Sequence, residues 1–407
     1  MRRVVFVAPF FRTATLRFIN SVAKQPGIQF GLISSDPIGC TPESLRARVA
    51  NHAQVGNCLD AGQLAIAARQ LMSEMGAIDV LFGALEELQV PIARVRGYLG
   101  IQGLNGQAAL NFRDKSRMKS VLRENGVPCA QHCLVTQPQE AMDFVNKVGF
   151  PMVVKPPDGA GARGTFQINT TDELQDYLAA YAPSPNRPTL FEEFIQGEEY
   201  SFEAISICGQ VVWHSLTRYH PSPLEVLKNP WIQWCVLLPR EVDHPRFDDM
   251  REVNARSLNV LGMGTGLSHM EWFRRDDGSL AVSEVGARPP GAQIMSLMSY
   301  ATDKNFYDAW AELMVWDRFS VPERKYAVGA AYLRGMGQGR VKTIHGLEQA
   351  QEEVGEVVVE ARLPQPGQPA SSGYEGEGYV IVRHQQTAVV EKVLQRLVSL
   401  IRVEYTH

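Results

Sequence analysis

The feature that most restricts the fold is a glycine-rich turn that does not lead into a helix. Gly159, Gly161 and Gly164 follow a strand-like run, residues 152–155, with GxGxxG spacing. A dinucleotide-binding loop of that spacing must open a helix whose N-terminus meets the pyrophosphate. Here Thr165, Phe166, Gln167, Ile168 and Asn169 come next, and they read as a strand. A helix starts only near Thr171, where Thr170 and Glu173 make a capping box. The loop therefore joins two strands. Such a loop folds over phosphate groups as a lid, because no side chains screen its backbone N–H groups. Lys155, closing the incoming strand, brings an ammonium to the same phosphates. The alternative is a surface turn beside a solvated lysine; lysine and loop occurring together at this separation favour the lid.

A second pattern lies about a hundred residues on. Residues 269–273 (His-Met-Glu-Trp-Phe) and 280–285 read as two strands around Asp277-Gly278, a preferred two-residue type I′ turn. That turn makes Glu271 and Glu284 direct cross-strand partners, their Cβ atoms about 5 Å apart. Like charges so placed repel each other, so the pair makes sense with a cation between them. Oxygen ligands suit Mg²⁺, which takes one or two carboxylates together with nucleotide phosphates. Two solvated glutamates on an outer face are the alternative; apolar Met270, Trp272, Val282 and Val285 argue for a half-buried hairpin. His269 shares the face of Glu271 and reads equally as a substrate contact or a hydrogen-bonded core histidine. Arg288, in Gly286-Ala287-Arg288-Pro289-Pro290-Gly291, is expected to clamp a substrate carboxylate or a transferring phosphoryl group. A surface arginine on a rigid turn is its alternative. Arg218 stands in a segment, 214–239, rich in aromatic and basic groups (His220, Trp231, Trp234). That segment reads as an acceptor pocket, or equally as a hydrophobic cover or an oligomer contact.

The 407 residues are too many for one core. Over residues 1–112 strands at 4–7, 28–34 and 78–82 alternate with helices at 16–24, 61–75 (Asp60 as cap, Gly76 as stop) and 91–99. Such alternation implies a parallel sheet with helices on its faces. Glu86 and Glu87 follow a strand end, where open sheets place ligands; a solvated loop is the even alternative. Residues 113–318 hold the motifs above, with helices at 114–125 and 138–148, the second introduced by Thr136 and stopped by Gly149, and a strand-like stretch at 191–208. Residues 319–407 read as a separate small mixed unit, ending in a helix whose stripe includes Val390, Leu394, Leu397 and Ile401.

A net charge of -4 gives no electrostatic reason to expect nucleic acid. The apolar run after Met-Arg-Arg is too short for a signal peptide, and no stretch approaches the ~18 apolar residues of a membrane span. Six scattered cysteines, none in a CxxC, read as reduced structural residues, which fits the cytoplasm. The oligomeric state is open, a homodimer included.

Taken together, these residues resemble the ATP-grasp superfamily. Asp114-Lys115 with Lys119 is similar to its first lysine segment, and Met152-Val153-Val154-Lys155-Pro156 to its second. The run from Leu190 through Glu199 to Ser201 resembles its adenine hinge, and Glu284-Val285-Gly286-Ala287-Arg288 its metal-and-substrate segment. The resemblance implies an α/β (α+β) architecture: an ATP-grasp fold with an N-terminal Rossmann-like parallel-sheet domain and a small C-terminal mixed domain. It implies ATP and Mg²⁺ as cofactors. Lys115 and Lys155 would hold phosphates. Glu192 and the backbone of Glu193 and Ile195 would meet adenine, and Glu199 would bind the ribose. Glu271 and Glu284 would hold magnesium, with Arg288 and Lys155 serving catalysis. The superfamily usually has an asparagine where this chain has Gly286, which removes one oxygen ligand for a second magnesium.

The activity implied is that of a carboxylate–amine ligase: a small carboxylate or amino acid is phosphorylated to an acyl phosphate and coupled to an amine. L-amino-acid ligases and biotin-carboxylase-like enzymes share the layout. Two other readings stay open. One is a bicarbonate- or formate-activating carboxylase or transferase of purine-synthesis type. The other is a regulatory ATP-binding protein without turnover, which Gly286 makes conceivable.

Overall fold

The first strands are short, all but the third mainly apolar, and helical crossovers return the chain in the same direction, so the sheet is parallel. Strands β1 (Arg2–Val7), β2 (Ile28–Ser34), β3 (Asn51–Gln54) and β4 (Val80–Phe82) lie in the order β3-β2-β1-β4, every pair parallel. They alternate with α1 (Thr13–Ala23), a single turn α2 (Glu43–Arg46), α3 (Ala61–Met75) and α4 (Gln89–Leu99). Asp60 caps α3 by accepting the Gln63 N–H, and Gly76 ends it at φ 87°. The computed structural model describes residues 1–159, 164–229, 232–337, 339–371, 373 and 375–406. Gly161 and Trp231 lie outside the described residues.

Helices α5 (Gly106–Arg113) and α6 (Lys115–Glu124) are separated by Asp114 alone, which caps α6 by accepting the Arg117 N–H. A small antiparallel sheet follows: β5 (His132–Val135), β6 (Met152–Lys155), β7 (Phe166–Ile168) and β8 (Thr189–Glu193), ordered β5-β8-β6-β7. Helices α7 (Pro138–Val148) and α8 (Thr171–Ala180) pack on it around Phe144, Leu174 and Phe191. Because β6 and β7 are antiparallel neighbours, the glycine loop does join strand to strand.

The 191–208 stretch is not one strand. It breaks after Glu193, and β9 (Gly197–Ile207) belongs to a different sheet. Gly197 starts β9 at φ 147°, where a Cβ would fall 2.1 Å from the Arg274 carbonyl oxygen. The new sheet gains β10 (Gln210–His220), β11 (Trp234–Leu238), β12 (Gly266–Arg275), β13 (Leu280–Gly286) and β14 (Ala327–Leu333). Three helices interleave: α9 (Pro223–Lys228), α10 (Asp248–Leu261) and α11 (Ile294–Thr302), with α12 (Phe306–Trp316) before β14. A side ribbon pairs β15 (Arg340–His345) with β18 (Arg402–Thr406). Between them come α13 (Leu347–Val354), β16 (Val358–Arg362), β17 (Gly378–His384) and α14 (Thr387–Leu400).

Residues 319–407 do not stand apart as expected. The eight-stranded order is β13-β12-β9-β10-β11-β14-β17-β16, so the last strands extend the sheet that carries the hairpin. One face of that sheet shares a core with the parallel sheet. Trp310 of α12 lies 6.3 Å from Phe6, 5.0 Å from Phe18 and 5.5 Å from Phe82, ring centre to ring centre. The opposite face packs on α10 and α6 around Phe202, Met250 and Trp272, and on α14 around Leu394 and Leu397.

Candidate active site

Strand alternation sorts the side chains of β9, β10 and β12. Tyr200, Phe202, Leu216, Met270 and Trp272 join the core beneath α10. Their neighbours go to the other face and bond to one another. Glu203 accepts from the Ser201 hydroxyl at 2.6 Å and the Thr217 hydroxyl at 3.1 Å, and pairs with His269 Nδ1 at 2.8 Å. His269 Nε2 lies 3.6 Å from Glu271. Burial alone would lower the His269 pKa, but Glu203 and Glu271 outweigh it and raise it to about 9. His269 is thus a buried, doubly held histidine behind Glu271.

Glu271 does face Glu284, but by another route than the expected two-residue turn. Arg275 and Ser279 close the tip, with the Arg275 N–H on the Ser279 carbonyl at 2.9 Å, leaving a three-residue loop at 276–278 with Gly278 at φ 83°. This loop puts Trp272 opposite Val282, one residue out of the expected register. A bulge at Ser283 absorbs the offset and sets Glu271 opposite Glu284. Lys119 Nζ donates to the carbonyl of that bulged serine at 2.6 Å.

Three lysines close around the pair. Lys115 lies 2.9 Å from Glu284 and donates to the Gly159 carbonyl at 2.6 Å, which ties the glycine loop to the hairpin. Lys155 lies 3.0 Å from Glu192, and Lys119 3.4 Å from its other oxygen. Burial works against ionised Glu284, yet Lys115 and Lys155 hold it at about 2. For Glu192, burial is likewise outweighed by Lys119 and Lys155, which lower its pKa. Glu199 meets the opposite fate: burial and the charge of Glu271 push it up to about 8. Lys155 opposes that rise without cancelling it. The facing carboxylates of Glu271 and Glu284 are the residues that could hold a divalent cation there. Among the described residues no three acidic, histidine or cysteine groups form a complete metal cage. Two carboxylates completed by phosphate oxygens suit magnesium.

Other expected site residues are placed as follows. Glu193 meets Arg275 of β12 at 2.5 Å, and its N–H donates to the Gln131 carbonyl just before β5. Ile195 is buried against Ala130 and Ala281 in that hinge. Gly164 has φ 71°. Glu192, expected at adenine, instead has its carboxylate on the two lysines. Arg288 donates from Nε to Glu86 at 3.0 Å, and Arg113 lies 3.5 Å from the other Glu86 oxygen. Of the two candidates at that strand end, Glu86 is buried and Glu87 exposed. Arg218 is not brought to this face. Alternation puts it with Tyr200, 5.9 Å from the ring, and it pairs with Glu391 of α14 at 2.8 Å.

Arg113 and Glu203 were not singled out in the sequence, although Glu203 lies between Phe202 and Ala204 with the alternation of a buried strand. Lys119 carries a readable signal: it follows Lys115 by four residues on α6 and so shares its face.

Fold and site together have the layout of an ATP-grasp fold. Residues 120–303 match the family model described as the ATP-grasp domain, so the chain carries a domain of that family. The L-arginine-specific L-amino acid ligase of Bacillus subtilis is 24% identical over 248 residues, 60% of this chain and 59% of that relative's length. The crystal structure of the L-amino acid ligase from Bacillus licheniformis superposes with a TM-score of 0.78 at 20% identity, covering 100% of this chain and 99% of that one. N5-carboxyaminoimidazole ribonucleotide synthetase from Thermotoga maritima gives 0.73 at 17% identity, covering 100% of both chains. At these identities the structural likeness speaks for the fold.

Proposed function

We propose that the chain is an ATP-dependent carboxylate–amine ligase acting on a small carboxylate or amino acid. The observation that carries this reading is the facing of Glu271 and Glu284, with Lys115 reaching both Glu284 and the Gly159 carbonyl. In this reading the triphosphate lies between the small sheet and the hairpin. The substrate carboxylate oxygen attacks the γ-phosphorus, the bond to the bridging oxygen breaks, and ADP leaves. The amine nitrogen then attacks the acyl carbon, the bond to phosphate breaks, and the amine gives up a proton. Lys115 and Lys155 donate to phosphate oxygens, and Glu192 orients Lys119 and Lys155. Arg288, aimed by Glu86, binds the carboxylate undergoing activation. The small sheet excludes water that would hydrolyse the acyl phosphate. Magnesium on Glu271 and Glu284, when bound, neutralises the charge that develops on the phosphoryl oxygens.

The test is ADP and phosphate release over a panel of paired amino acids and small acids, with mass analysis of products. Release in wild type and its loss in Glu284→Gln is the expected result; no release from any pair refutes the reading. A second reading, activation of bicarbonate or formate, is supported by the comparable likeness to the synthetase from Thermotoga maritima. Release stimulated by those ions and by no amino acid selects it. Gly286 has no side-chain oxygen for a second ion, so a chain that binds ATP without turnover is the third outcome.

We set the protein in the cytoplasm, a placement supported by six cysteines that are all free. Among the described residues no helix is long and apolar enough to cross a membrane. A homodimer is the assembly to test by sedimentation.

A further inference from the structure

One edge of β10 is left mostly unpaired. β9 pairs with it over residues 210–218, but β11 pairs with its other edge only at residues 218–220. Pro239, which cannot donate to a ladder, follows β11 at once. A cleft of about 550 Å³ opens between the freed stretch of β10 and residues 240–243 and 321–324. That volume is within the ~300–1,000 Å³ typical of ligand sites. Val212, Val321 and Pro322 give the cleft apolar walls.

Arg324 lines this cleft and is held in place. The Lys325 and Tyr326 N–H groups donate to the Ala301 carbonyl at 2.9 and 3.1 Å, which fixes its segment on α11. Its Nη2 donates to the Ser215 hydroxyl at 2.6 Å, and its guanidinium lies 5.8 Å from the Trp213 ring centre. Its Nε and Nη1 are buried and have no hydrogen-bond partner. Glu203 and Asp243 act on it through space, yet burial prevails and lowers its pKa to about 10. His214, also on the cleft, has a buried Nε2 without a hydrogen bond, 3.5 Å from Asp243. Buried donors left unpaired are costly. Water can cap an N–H group but does not compensate the charge behind it.

We propose that this cleft binds a small monocarboxylate with an apolar body, its carboxylate on Arg324 and its body against Val212, Val321 and Pro322. The charge of the lining sets the class. It carries two arginines, Arg240 and Arg324, and three acids, Glu241, Asp243 and Glu323. Arg240 already donates to the Gln385 carbonyl at 3.4 Å, and Glu241 accepts from the Thr387 hydroxyl at 2.5 Å. One cation with unused donors therefore faces a cleft that is acidic as a whole, which suits a single negative charge and repels a phosphate dianion. None of the lysines or acids of the candidate active site lines the cleft. It backs onto them instead: Ser215, which Arg324 holds, is the cross-strand partner of Glu203, and Glu203 holds His269. The site is thus additional to the nucleotide site and does not depend on the ligase reading.

Titration calorimetry of the full chain with 4-methylpentanoate, its amide and inorganic phosphate tests the proposal. The acid should bind about tenfold more tightly than either, the scale of one hydrogen bond to a charged group. A saturating non-hydrolysable ATP analogue with magnesium should leave that affinity unchanged. Arg324→Gln should abolish the preference for acid over amide. Val321→Glu, at a residue 63% exposed, leaves the buried arginine in place and sets a further negative charge on the wall. It should weaken acid binding several-fold. Arg288→Gln should bind the acid as wild type does. Equal affinities for acid and amide, phosphate bound as tightly as the acid, or displacement by the ATP analogue overturns the proposal. Binding that survives Val321→Glu, or that is lost in Arg288→Gln, overturns it as well.

Discussion

Glu192 is buried with a lysine on each carboxylate oxygen, so the site lysines are held before any nucleotide arrives. Lys155 is the one of the two expected on phosphate. Lys155→Met should lower turnover by about two orders of magnitude, the scale for losing one charge-stabilising donor, as read from phosphate release at saturating ATP. A change of less than about threefold would remove Lys155 from the chemistry. Glu199 supports a pH prediction. Its pKa rises from the ordinary 4.5 to about 8 on folding, through burial first and Glu271 second. The folded state therefore binds more protons than the unfolded one between those values, and stability falls as pH rises through that window. Denaturant midpoints of the metal-free protein should drop across it, and Glu199→Gln should flatten most of the drop. An identical slope in that variant would show that Glu199 titrates normally. At this scale the sequence was legible in placement: Lys155 ends its strand and Glu271 faces Glu284. Glu192 was assigned to adenine because an acid in an extended hinge looks the same whether it faces a base or two lysines. Arg218 was misplaced because its aromatic and basic surroundings hid the strand alternation that turns it away.

The hairpin β12–β13 shows how an element can be right in its outcome and different in its construction. Asp277-Gly278 has the composition of a two-residue turn, yet the loop takes three residues and the bulge at Ser283 returns the register. Nothing about a serine between Val282 and Glu284 announces a bulge; it follows from Val282 and Val285 both joining the core beneath α10. The missed strand β3 has the same kind of cause, since Asn51-His52-Ala53-Gln54 has one apolar side chain and lies at a sheet edge. Two glycines separate conformation from space. Gly278 has nothing within 4 Å of an added Cβ, so Gly278→Ala should cost about 1–2 kcal/mol from its left-handed backbone alone. Gly197→Ala meets the Arg274 carbonyl oxygen at 2.1 Å and must displace β9 from β12. Chemical denaturation should show the second loss to be clearly larger; equal losses would mean that the strand pair adjusts freely.

At the scale of the whole molecule, the first and last parts of the chain are joined through one core. The expectation of a parallel first sheet held because alternating strands and helices constrain direction locally. The expectation of a separate last unit failed because pairing of β14 with β11 joins residues about a hundred positions apart, which no local pattern records. Trp310 stands at the junction with Phe6, Phe18 and Phe82 around it. Trp310→Ala should cost about 3–5 kcal/mol. Wild type should unfold in one calorimetric transition in which the parallel sheet does not melt first. Two resolved transitions in wild type would show that the shared core does not couple them.

The bulge at Ser283 has a practical consequence. The three-residue apex shifts the strands by one position and the lysine-held serine returns them, so the two acids meet only while both irregularities are kept. Removing either one alone would turn one acid to the opposite side of the ribbon.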